Sequence, residues 1–221
     1  MSIGATELEQ VFPLPDVPRQ STDAVGPRAQ RTIARIVAAT REVFLTNGYT
    51  GTTIDDIART ADVSRASFYT YFVSKREVLL VLGARSATDA QTIIERLIEL
   101  GATSDGMAEW VRDYFQFLEI NGSFAFAWTQ AAHDDHEILT AGMKRHLNLC
   151  QRFGEVLAAS AGIQRDDTTQ FGLVMFSALE RSWSYCHLYE DGLDRRAIEA
   201  AAAQMLWSAA RHKPFHTPAS Q

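Results

Sequence analysis

The chain has 221 residues, 46% hydrophobic and 22% charged, a balance that suits a globular protein with a sizeable core. It excludes wholesale disorder and collagen-like repeats, and no stretch approaches the roughly 20 apolar residues of a membrane span. Cys150 and Cys186 lie far apart without a CxxC pattern, which fits a reducing cytoplasm better than a disulfide framework.

Residues 1–27 hold four of the six prolines and a net charge of −3, and they read as a flexible N-terminal arm. The run at 11–17 is broken by Pro13, Pro15 and Asp16, so it is not a signal-peptide core. Residues 28–85 carry nine basic groups against five acids, whereas the 136 residues after them carry a net −7. A basic segment on an acidic body points to a local face for a polyanion.

From Arg28 the period becomes helical, with Ile33, Ile36, Val37, Thr40, Val43 and Phe44 on one stripe that ends at Asn47-Gly48. Thr53 is an N-cap with Asp56 at the capping-box position, and Ile57, Ala58 and Ala61 form a short apolar face. After the break Ala61-Asp62-Val63, Ser64 caps a second short helix that buries Phe68 and Phe72. Two short helices joined by a tight turn and preceded by a longer helix make a helix-turn-helix arrangement. The second helix would enter a DNA major groove with Arg65, Ala66, Ser67, Tyr69 and Thr70 exposed. The hydroxyls of Thr53, Ser67, Tyr69 and Tyr71, with the charge of Lys75, would meet phosphates.

Further helices follow. Ser74 with Glu77 caps a long one that ends at Gly101, with Leu79, Leu82, Ser86, Ala90, Ile93 and Leu97 inward. The pattern then predicts a helix over 104–120, closed by Asn121-Gly122, and a short one carrying Phe124, Ala127, Trp128 and Ala131. Asp134 with Glu137 would cap a helix running to Gly162. Asp166 or Asp167 would cap another that reaches about Glu190. This last helix is apolar on two faces, one with Phe171, Val174, Met175, Ala178 and Cys186, the other with Leu173, Phe176, Leu179 and Trp183. Leu173 and Leu179 are expected on its outward side, against a second subunit. Asp194 caps the final helix. The fold class is all-α with about nine helices. Residues 28–74 form a three-helix DNA-binding domain, 75–213 a helical ligand-binding and dimerisation bundle, and 214–221 a flexible tail.

The segment 52–79 resembles the DNA-binding domain of the tetracycline-repressor (TetR) family. The residues that carry the likeness are Gly48-Tyr49, Thr52-Thr53-Ile54, Ile57-Ala58, Ala61, Val63-Ser64, Phe68-Tyr69, Tyr71-Phe72, Ser74-Lys75 and Leu79. It departs at Asp62 and Ala66, where the family often has Gly, and at Ser67 and Phe68, often Thr and Leu. The resemblance implies a cytoplasmic, dimeric transcriptional regulator, usually a repressor, that binds double-stranded operator DNA, expected to be palindromic, and a small-molecule effector in the C-terminal bundle. Aromatic crowding there nominates Trp110, Tyr114, Phe117, Trp128, Phe153, Met175, Leu179 and Trp183 as ligand-lining residues, and a mainly hydrophobic ligand. No cofactor, metal site or catalytic residue is expected. The alternative is a helical metal-dependent enzyme built on His133, Asp134, Asp135, His136 and Glu137, with an accessory helix-turn-helix. A polar turn that caps a helix explains the same cluster, and no GxSxG, HExxH or phosphate-binding glycine loop supports an enzyme.

Overall fold

The structure is a computed structural model that describes residues 26–188 and 192–212. The expected arm to residue 25, the tail from 213 and the approach to Glu190 lie outside the described residues. Those described form eight helices and no strand: α1 (Pro27–Gly51), α2 (Ile54–Thr60), α3 (Arg65–Tyr71), α4 (Lys75–Leu100), α5 (Ser104–Asp134), α6 (His136–Ser160), α7 (Thr168–Leu188) and α8 (Arg195–Ala210). None of them is long and apolar enough to cross a membrane.

The chain divides into two compact units. One gathers the residues up to Ser86 with Ser123–Ala141, and the other gathers Ala87–Gly122 with the residues from Gly142 onward. In the first, Ile36, Phe44, Ile57, Phe68, Phe72, Leu79 and Leu82 share a core with Ala127, Ala131 and Ile138. Burying each large side chain removes enough apolar surface to be worth about 1.5–3 kcal/mol. Gly48, at φ 66, kinks α1 at the stop expected from the sequence. Beside that kink the Tyr49 N–H donates to Gln130 Oε1 at 2.6 Å, tying the end of α1 to α5.

In the second unit, α5 buries Met107, Trp110, Val111, Tyr114 and Phe115 against Cys150, Phe153 and Leu157 of α6. Phe176, Leu179 and Trp183 of α7 complete this core with Ala202 and Leu206 of α8. Helices α6 and α7 meet almost backbone to backbone. A Cβ on Gly172 would collide with the carbonyl of Cys150, and one on Gly154 with the carbonyl of Thr168.

Three expectations are corrected. The break at Asn121-Gly122 is absent, and α5 runs through it. Gly122 lies against the Trp183 ring, so its missing Cβ serves packing rather than termination. Asn121 donates from Nδ2 to the Phe117 carbonyl at 3.2 Å, as a residue within a helix can. The cap of α6 is Asp135, not Asp134; its Oδ1 accepts from the N–H groups of Glu137 and Ile138, both at 3.1 Å. Finally, Leu179 of α7 is fully buried in its own core, along with Phe176. The exposed stripe of that helix is Val174, Ser177, Arg181 and Tyr185. With 3.6 residues per turn, the stripe of large rings and the stripe that reaches solvent are different faces.

Candidate nucleic-acid interface

The local chemistry of residues 52–75 fixes both short helices. Thr53 Oγ1 accepts from the Asp56 N–H at 3.2 Å, while the Asp56 carboxylate accepts from the Thr53 N–H at 3.0 Å, a complete capping box. The Thr53 hydroxyl also donates to Asp56 Oδ2 at 2.6 Å, and this bond with that from the Thr53 N–H holds the Asp56 carboxyl below its ordinary range. At the far end of α2, the Val63 N–H donates to the Ala58 carbonyl at 2.9 Å and the Asp62 N–H to the Arg59 carbonyl at 3.1 Å. This Schellman pattern requires a left-handed residue, and Asp62 supplies it at φ 49. Glycine is the usual occupant of such a position. Here Arg35 Nη2 steadies the aspartate from α1, donating to its carbonyl at 2.8 Å and to Oδ2 at 2.9 Å.

Ser64 then caps α3, accepting from the Ser67 N–H at 3.0 Å. Phe68 is fully buried and packs on Phe72, which fixes the rotation of α3. That rotation leaves Arg65, Ala66, Tyr69 and Thr70 exposed, with Ser67 and Tyr71 half-buried. Arg65 is already placed: its Nη1 reaches both Asp55 oxygens at 2.8 Å, and its Nη2 lies 3.4 Å from the Tyr69 hydroxyl. Thr70 Oγ1 donates to the Ala66 carbonyl, and Thr53 is engaged by its own cap.

Lys75 is placed differently from the expectation of a group turned outward to phosphate. Its Nζ donates to the carbonyls of Tyr49 at 2.7 Å and Thr52 at 2.8 Å, and sits 4.5 Å from the centre of the Tyr49 ring. Partial burial lowers its pKa. An ammonium at the carbonyl end of a helix is favourable, so Lys75 ties the end of α1 to the start of α4.

Sequence reading missed Asp55, Arg35 and Gln130. Asp55 and Arg35 carried one available signal: each is a charged residue whose opposite-sign partner lies in the motif.

The cluster at 133–137 is an ion-pair site within the same unit. Arg76 Nε donates to Asp135 Oδ2 at 2.6 Å and Nη2 to Glu137 Oε2 at 3.0 Å, which holds the Asp135 carboxyl below its usual range. His133, Asp134 and His136 are exposed. Among the described residues no three His, Cys, Asp or Glu side chains gather so as to hold a metal ion.

The expected ligand residues separate into two groups. Trp110, Tyr114, Phe153, Leu179 and Trp183 lie together in the second core, with Phe117 and Met175 at its margin. Trp128 belongs to the other unit, where it packs beside Phe124 over Gly83.

Residues 36–82 match the family model described as "Bacterial regulatory proteins, tetR family". Over this N-terminal segment the chain is similar to regulators of the tetR family. It is 39% identical over 70 residues to the HTH-type transcriptional regulator EthR of Mycobacterium tuberculosis, a match covering 32% of each chain. The matched part is thus about a third of that relative's length. The likeness to the HTH-type transcriptional regulator TcmR of Streptomyces glaucescens is longer and weaker, 25% identity over 189 residues, covering 75% of this chain and 79% of TcmR. Two solved structures resemble most of the chain. The fatty acid degradation regulator FadR of Bacillus halodurans has a TM-score of 0.62 at 21% identity, covering 86% of this chain and 99% of that one. FadR of Bacillus subtilis in complex with stearoyl-CoA has 0.57 at 21%, covering 80% and 98%. At that identity they speak for the fold, which is all-α, as in the tetR family.

Proposed function

We propose that the protein is a cytoplasmic, homodimeric DNA-binding transcriptional regulator, a repressor released from a palindromic operator by a small, mainly hydrophobic ligand. The observation that carries this is the capped helix-turn-helix of residues 53–72. Its second helix is locked in rotation by buried Phe68 and presents Arg65, Ala66, Tyr69 and Thr70 outward. Each of those groups has the size and chemistry for a major groove about 12 Å wide. The tetR-family match over the same segment supports the reading, and the named relatives are transcriptional regulators rather than enzymes.

The aromatic core of the second unit supports a hydrophobic effector. Of the basic groups expected near an anionic effector, Arg152 is paired with Glu95 and Glu155, and Arg112 and Arg181 are exposed. Release needs a ligand that prefers a form unable to hold operator. A preference of about 100-fold, some 2.7 kcal/mol, gives a clear response. Helix α4 has residues in both units and is the proposed lever.

The test is fluorescence anisotropy on the duplex upstream of the protein's own gene, across a salt series. Log affinity should fall linearly with log salt. Arg65→Ala and Tyr69→Phe should weaken binding on top of that slope. Variants that bind like the parent would show that α3 is not the reading helix.

A further inference from the structure

Three stripes meet in the second unit, and each mixes aromatic with polar groups. On α5 the residues at i, i+4, i+7 and i+11 are Trp110, Tyr114, Phe117 and Asn121; on α6 they are His146, Cys150, Phe153 and Leu157; on α7, Phe176, Glu180 and Trp183 share one face. The rings engage one another directly. Trp110 stacks on Phe153 with centroids 4.9 Å apart, Phe153 on Phe176 at 4.3 Å, and Tyr114 on Phe176 at 5.3 Å.

Two acceptors in this apolar setting are undersupplied. Asn121 is 4% exposed, and its Oδ1 has no hydrogen-bond partner. An acceptor buried in this way carries an uncompensated loss of solvation. Half-buried Glu180 accepts from the Tyr114 phenol at 3.3 Å, with His146 as a neighbour. A carboxylate offers about four acceptor sites. Burial also raises the Glu180 carboxyl above its ordinary range, against the influence of His146. Tyr114, which donates to Glu180, stands seven residues before Asn121 on α5, roughly 10 Å along the axis at 1.5 Å per residue. Half-exposed Phe117 lies between them on the stripe. Half-buried Arg145 stands on a neighbouring face of α6, in line with Leu149 and Arg152, about 100° away from the His146 stripe.

We propose that Glu180, Tyr114 and Asn121 form the recognition point for an effector that carries a protonated amine beside a planar aromatic body. The proposal rests on reading this unit as the effector-binding one. The amine donates to the Glu180 carboxylate, the half-exposed Phe117 ring beside Tyr114 takes the aromatic plane, and a second donor satisfies Asn121 Oδ1. A cation against aromatic faces and a shielded carboxylate gains from both.

The experiment is calorimetric titration of the full chain with 9-aminoacridine, with acridone as its neutral, size-matched counterpart, and with stearoyl-CoA. The parent should bind the cation at least about 10-fold more tightly than acridone. Glu180→Gln should abolish that preference while leaving acridone affinity within about twofold, which also shows that the variant folds. Asn121→Ser should weaken the cation several-fold. Equal binding of cation and acridone by the parent overturns the proposal whatever the variants do, and leaves the effector reading standing. So does a preference that survives Glu180→Gln, or binding of stearoyl-CoA alone. Binding of none of the three probes overturns both.

Discussion

Arg65 and Asp55 show how one ion pair can set the conditions for DNA binding. Both side chains are more than half exposed, so solvent screens the pair and it adds little to stability. Its consequence is positional, because the guanidinium is held against α2 and beside Tyr69 instead of sweeping the phosphates. Asp55→Asn should therefore raise affinity for random-sequence duplex and steepen the salt slope by about one unit, read by anisotropy between 50 and 200 mM salt. Unchanged slope and affinity would show that Asp55 does not restrain Arg65. Arg65 was legible in the sequence as an exposed residue on a capped helix. Its partner was not, since a contact across ten residues depends on how the two short helices cross. Lys75 was legible as a charge beside the motif, but its direction was decided by the carbonyls of Tyr49 and Thr52 at the end of α1.

At the scale of elements, caps were the readable feature and close approaches were not. Thr53, Ser64 and Asp194 cap the helices expected of them, because a cap is a local bond between near neighbours. Gly122 looked like a stop, but the Trp183 ring that occupies its missing Cβ position comes from another helix. The α6–α7 crossing makes the same point. Gly172→Ala should cost about 1–3 kcal/mol or more in urea denaturation, because backbone atoms must move. Gly192→Ala, with nothing nearby, should stay within about 0.5 kcal/mol. Equal costs would contradict the crossing. Two apolar faces on α7 were read correctly as unusual, yet the period could not say which one faces inward. Val174→Arg, on the exposed stripe, should leave the fold intact and shift the protein to monomers in sedimentation. Leu179→Arg should instead unfold the unit, since it places a charge in the core. A dimeric Val174→Arg protein would remove α7 from the proposed interface.

For the whole molecule, a net charge of −6 conceals the basic character of residues 28–85. Several of those charges are internal ties in the structure: Arg35 to Asp62, Arg59 to Asp56, Arg76 to Asp135, and Lys75 to two carbonyls. Under the proposed function, sequence-specific contact would consequently fall to the exposed groups of α3 more than to bulk positive charge. A two-fold dimer would set its two α3 helices one turn of DNA apart, about 34–36 Å, or a multiple of it. The most direct measurement is selection from a random-sequence duplex library by the full chain at about 0.1 M salt, beside the Arg65→Ala, Tyr69→Phe double variant. The account predicts enrichment of an inverted repeat with half-sites spaced by whole turns, and loss of that enrichment in the variant. No enrichment by the parent, or the same motif recovered by the variant, would contradict it.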